Sequence, residues 1–130
     1  MSEEAGQRPR TLTKTYHIIF DAIGVDQSLL QSEEFIFSLL LEIPKKIDMK
    51  ILSGPHLVRD YDTGHEGLSG FAIIDFSHVS IHTFADSQEA YIDIFSCRPF
   101  DEKAIRNYLF EKLGVAPEQV QTHEVNYRWG

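Results

Sequence analysis

The chain has one cysteine and one tryptophan in 130 residues, and acidic side chains outnumber basic ones. The lone Cys97 makes no internal disulfide, so a reducing cytoplasm is the expected compartment. No apolar run approaches the roughly 18 residues of a membrane span, so no membrane partner is expected. The N-terminal MSEEAGQRPRTLTK lacks the apolar core of a secretory signal. The 12 Lys and Arg against 20 Asp and Glu leave a formal charge of −8, the wrong sign for binding nucleic-acid phosphates. No internal repeat, low-complexity tract or linker divides the sequence. Its 42% hydrophobic and 25% charged residues are an ordinary globular balance, in a length able to bury a core without staples.

Residues 1–12 are polar and read as a loosely attached tail, leaving 13–130 as one domain. Tyr16–Phe20 is β-branched and aromatic and predicts a strand. Asp26 offers an N-cap to an amphipathic helix over Gln27–Leu41, expected to stop or kink near Ile43 because of Pro44. Met49–Val58 predicts a strand interrupted at Gly54-Pro55, and charged Arg59–Gly67 reads as a loop. Three further strands follow at Ser69–Phe76, His78–Phe84 and Glu89–Cys97, with connections short enough for antiparallel neighbours. Asp101 caps a second helix over Glu102–Leu113, Gly114 closes it, and Gln119–Trp129 suggests a last strand. The order β-α-β-β-β-β-α-β implies an α+β two-layer sandwich, a mostly antiparallel sheet with two helices on one face. The other face is then left for a ligand or a second copy, so a homodimer is expected.

The side chains able to do covalent or acid–base work crowd into Ser69–Cys97: Ser69, Ser77, His78, Ser80, His82 and Cys97. The His78–His82 pair invites a metal, yet four strand residues separate the Cα atoms by roughly 13 Å. Two imidazoles sharing a zinc at about 2 Å each need a closer approach, so no metal is expected. Gly64, Gly67 and Gly70 have no following Lys-Ser/Thr to make a phosphate loop. A hydrolase triad lacks its G-x-S-x-G elbow. What remains is a hydroxyl, an imidazole and a thiol on neighbouring strands.

Those residues carry a resemblance. Leu68-Ser69-Gly70, then Ser77-His78-Val79-Ser80-Ile81-His82-Thr83, then Asp93-Ile94-Phe95-Ser96-Cys97 resemble the prokaryotic S-adenosylmethionine decarboxylase proenzymes. That family shows SG before an apolar strand, then ESHxSIHTWPE, then D-x-F-[TS]-C. Tyr16–Gly24 is similar to the family's first strand, HLI-x-D-x-x-G. The chain departs from the pattern at Phe76, where the family has Glu, and at Phe84-Ala85-Asp86, where it has Trp-Pro-Glu.

The resemblance implies a self-processing enzyme. The Ser77 hydroxyl would attack the Phe76 carbonyl, the chain would split between Phe76 and Ser77, and Ser77 would become an N-terminal pyruvoyl group, with no metal involved. Ser69 would support this step by hydrogen bonding, and His82 would serve as its acid–base group, an imidazole being suited to proton transfer near neutral pH. The pyruvoyl carbonyl would act as an electron sink for a small-molecule amino acid, S-adenosylmethionine, giving the aminopropyl donor of spermidine synthesis. Cys97 would return the proton after CO₂ leaves. Phe84 would stack on the substrate, and Asp86 would hold its ribose hydroxyls. Two alternatives stay open: a relative that decarboxylates arginine or ornithine, and an uncleaved regulatory relative without activity.

Overall fold

The computed structural model describes residues 14–62, 64–121 and 123–127. The tail expected over residues 1–12 lies outside them. The elements are β1 (Tyr16–Ala22), α1 (Gln27–Leu30), α2 (Glu33–Lys46), β2 (Ile51–Asp62), β3 (His65–Ile74), β4 (Ser77–Phe84), β5 (Glu89–Ser96), α3 (Glu102–Leu113) and β6 (Val120–Gln121). The strands form one six-stranded sheet in the order β2-β3-β4-β5-β1-β6, with every pairing antiparallel. This is the expected α+β class, with three helices instead of two.

Alternation along the strands sorts the sheet into two faces. Ile18 and Phe20 of β1, Val79 and Ile81 of β4, and Ile92 and Ile94 of β5 form one buried cluster with Leu39 and Leu40 of α2 and Ile105 and Leu109 of α3. The helices therefore share one side of the sheet. The opposite side carries His17, Phe71, Ile73, His78, His82, Tyr91, Asp93 and Phe95, half-buried or exposed.

Four expectations shift. The first helix breaks at Gln31, because Ser32 caps a new one with its hydroxyl on the Phe35 N–H at 3.1 Å. That second helix runs through Pro44 to Lys46 although proline has no N–H to give the carbonyl four residues back; Pro44 is buried, so core packing offsets the lost bond. Within the charged segment Arg59–Gly67, expected as a loop, residues 59–62 and 65–67 are the paired ends of β2 and β3. Arg59 ties β2 to the α1–α2 junction through the Gln31 carbonyl and Glu33, each at 3.0 Å, so its charge is satisfied on a strand. The last strand shrinks to Val120–Gln121, and residues 123–127 have no regular structure.

Thr83 latches the two layers together. Its buried hydroxyl accepts from Leu68 N–H at 2.9 Å and donates to the Leu30 carbonyl at 2.9 Å. Thr83→Val strands both backbone groups without a partner. The expected loss, read by denaturant unfolding, is about 2–6 kcal/mol at 1–3 per orphaned group.

Candidate active site

The β3–β4 connection is a two-residue turn, Asp75-Phe76, between the paired Ile74 and Ser77. Phe76 sits at φ +47°, in the left-handed region that a bulky side chain avoids, and is 90% exposed. The peptide after it leads into Ser77, whose side chain is buried. The Ser77 hydroxyl oxygen accepts a hydrogen bond from the Cys97 N–H at 2.9 Å. Cys97 Sγ in turn approaches the Asp75 carbonyl at 3.3 Å. A carbonyl only accepts, so this contact requires the protonated thiol. Ser77, Cys97 and the turn thus form one group at one end of the sheet, beside an apolar hollow of about 480 Å³ lined by Leu52, Ile73, Phe76, His78 and Phe95 among others.

A second group lies on the open face. Ser69 and His82 pair across β3 and β4, with Ser69 Oγ 2.8 Å from His82 Nδ1. The Ser69 hydroxyl donates to Asp60 Oδ2 at 2.6 Å. His82 also lines an open cleft of about 630 Å³ with His65, Phe84, Ser87, Glu89 and Tyr91. Phe84 and Tyr91 meet edge to face at 5.8 Å, giving the cleft an aromatic wall. Hydrogen bonds from Ser87 and Tyr91 hold the Glu89 carboxyl below the ordinary glutamate range, against the smaller opposing effect of burial. The same bond to Glu89 raises the Tyr91 phenol. An ionised carboxylate beside two aromatic rings suits a cationic or polyhydroxylated ligand.

The chain therefore sorts its candidates into two sets. Ser77 and Cys97 meet, Ser69 and His82 meet, and Phe84 joins His82 in the cleft. Ser77 and His82 lie five positions apart on β4 with side chains on opposite faces, roughly 17 Å between Cα atoms at strand rise. Asp86 does not line this cleft; its carboxylate reaches His65 Nδ1 at 3.4 Å. Among the described residues no group of three or more His, Cys, Asp or Glu is arranged to hold a metal.

Against known proteins, the sequence model of the S-adenosylmethionine decarboxylase family matches residues 16–126. The chain belongs to that family. A proenzyme named S-adenosylmethionine decarboxylase from Clostridium botulinum strain Langeland is 34% identical over 100 residues, which span 75% of this chain and 82% of the relative. One from Pyrobaculum neutrophilum is 32% identical over 99 residues, 75% of this chain and 77% of that protein. The crystal structure of adenosylmethionine decarboxylase from Aquifex aeolicus VF5 superposes with a TM-score of 0.69 at 26% identity, covering 85% of this chain and 88% of that one. The fold of this family member therefore matches that of a solved decarboxylase.

Asp60, Glu89 and Tyr91 escaped the sequence reading. Asp60 lies within Arg59–Gly67, whose charged composition reads as loop. Glu89, Tyr91 and Asp93 alternate with Ala90, Ile92 and Ile94, a period-two pattern that could have pointed to a polar, half-buried face on β5.

Proposed function

We propose that this family member is a self-processing, pyruvoyl-dependent decarboxylase acting on S-adenosylmethionine, the substrate in its relatives' names. The observation that carries the proposal is the left-handed Phe76 placed directly before a buried, oriented Ser77 hydroxyl. Backbone strain at such a site favours reaction of the adjoining peptide. Ser77 Oγ attacks the Phe76 carbonyl carbon; the Oγ–C bond forms, the C–N bond breaks, and the hydroxyl proton passes to the freed amine. Removal of the residue 77 Cα proton then expels the Phe76 carboxylate by breaking Cβ–Oγ. Water finally replaces nitrogen as ammonia, leaving residue 77 as pyruvoyl. The residues around it fit that group: the Cys97 N–H already points at the residue 77 side chain, and Cys97 keeps a thiol proton beside it.

The pyruvoyl carbonyl supplies an electron sink for loss of CO₂ from an amino acid. Cys97 Sγ–H provides the returning proton, and Phe84 with Tyr91 and Glu89, lying at the far end of β4 and therefore contributed by a second copy, binds the distal part of the substrate. Cys97→Ala should leave chain splitting intact and lower CO₂ release by about 10²-fold or more, the usual worth of a positioned acid. Separate assays of intact mass and of ¹⁴CO₂ release check the two halves of that expectation.

A homodimer would fit the same reading. One copy holds Ser77 and His82 far apart, so His82 can serve Ser77 only across an interface with a second copy. The open face that would meet it exposes Leu52, Val58, Phe71 and Ile73, an apolar surface of the kind that marks an interface. Sedimentation should therefore find the chain as a dimer.

Intact-mass analysis of freshly purified protein tests the whole. Fragments 1–76 and 77–130 are expected, and a stable 14.9 kDa species would sink the proposal in favour of an uncleaved relative. Glu89 beside aromatic rings also suits the cationic side chain of arginine or ornithine, so all three substrates belong in the CO₂ assay.

A further inference from the structure

Asp60, on β2, lies outside every motif of the resemblance, yet it ends a hydrogen-bonded chain that reaches His82. Ser69 has one hydroxyl proton, and it donates that proton to Asp60 Oδ2 at 2.6 Å. A carboxylate has nothing to donate in return. The remaining contact, between Ser69 Oγ and His82 Nδ1 at 2.8 Å, must then use a proton on His82. Nδ1 carries it whether the imidazole is neutral or charged, because a second acceptor facing Ser69 would leave two lone pairs opposed. The bare nitrogen of the neutral ring is therefore Nε2.

We infer that Asp60 is a positioning residue that, through Ser69, locks His82 in the Nδ1–H tautomer and leaves Nε2 as the nitrogen that accepts and returns protons. The use of that nitrogen rests on the self-processing reading above; the tautomer itself rests on the relay alone. Without Asp60, the Ser69 hydroxyl is free to rotate and donate to Nδ1. The neutral ring would then carry its proton on Nε2, where a base must have none. The exposed Asp60 carboxylate takes the orienting part that an aspartate takes behind a catalytic histidine, with a serine hydroxyl inserted between them. Sequence pattern alone offered no route to this assignment, since Asp60 and His82 are joined only when β2, β3 and β4 lie side by side.

The test reads the tautomer directly. Long-range ¹H–¹⁵N correlation spectra of the uniformly ¹⁵N-labelled full chain show which ring nitrogen carries the proton in each of the six histidines, and His82→Gln identifies the signal by its loss. The neutral His82 ring is expected as Nδ1–H in the wild type, shifting to Nε2–H in Asp60→Ala, which leaves the Ser69 hydroxyl no acceptor at that position. Splitting at Phe76–Ser77, followed from freshly translated chain, should slow by about 10²-fold in Asp60→Ala, the order contributed by a correctly protonated base. Asp60→Glu, which restores an acceptor-only group, should recover the Nδ1–H form and at least part of the rate. An Nε2–H ring in the wild type overturns the inference, as does an Asp60→Ala chain with unchanged tautomer and rate. A wild-type chain that never splits but shows Nδ1–H His82 defeats the self-processing proposal and leaves the relay standing.

Discussion

Ser77→Ala should leave one 14.9 kDa chain under conditions in which the wild type yields two fragments. Alanine keeps the turn, the left-handed Phe76 and the packing of β4 on the helices, and removes only the nucleophile. Its structural cost is the one hydrogen bond that Ser77 Oγ accepts from Cys97 N–H, about 1 kcal/mol. A folded but unsplit variant is thus expected, and a thermal melt close to that of the wild type separates lost chemistry from lost structure. Phe76→Gly is the complementary change. Glycine adopts positive φ freely, so it removes strain worth about 1–2 kcal/mol at a bulky residue. If that strain assists attack on the Phe76 carbonyl, the glycine variant should be more stable and should split roughly tenfold more slowly, as 1.4 kcal/mol of barrier requires. A Phe76→Gly chain that splits as fast as the wild type would show that strain contributes nothing to cleavage.

Gly67→Ala should be the most damaging alanine substitution among the described glycines. A Cβ at this position would sit 1.8 Å from the Thr83 carbonyl oxygen and 2.8 Å from its carbon. Both are backbone atoms, so the clash is relieved only by prising β3 from β4. That movement also pulls Leu68 N–H from the Thr83 hydroxyl and disturbs its bond to Leu30. Overpacking and the strained latch together predict a loss of about 3–5 kcal/mol, measured by denaturant unfolding. Gly70→Ala is the control. There the added Cβ meets the Leu40 Cδ1 methyl at 2.5 Å, the end of a side chain that can rotate away, so its cost should be smaller. Equal losses at the two glycines would contradict the backbone clash. The site is coupled to this contact, because Ser69 and His82 form the next paired position along the same two strands.

Much of the frame was legible because its signals are local. The β4 and β5 alternation, the Asp101 cap and the Gly114 closure of α3 each depend on a few adjacent residues, and each appears where the pattern put it. The chain turns at Asp75-Phe76, just before Ser77, so Ser77 and His82 still share the one strand β4 and face opposite sides. The misread stretches are those where a long-range partner overrides local character. Arg59–Gly67 looks like loop by charge, yet cross-strand bonds and the Arg59 anchors make most of it strand, since a residue on an uncovered sheet face has no need to be apolar. Pro44 looks like a stop, yet the core holds the helix through it.

By itself the sequence determined the α+β class and the spacing of Ser69, Ser77, His82 and Cys97 that marks the family, because both are carried by residue type and interval along one chain. Only the tertiary structure decided which of those residues meet. Pairing of β3 with β4 joins Ser69 to His82, pairing of β2 with β3 brings in Asp60, and pairing of β4 with β5 sets Cys97 beside Ser77. Alternation along β4 then sends Ser77 and His82 to opposite faces. Hydrogen bonds reach about 3 Å, whereas five strand residues span roughly 17 Å, so closeness in sequence did not become contact in space.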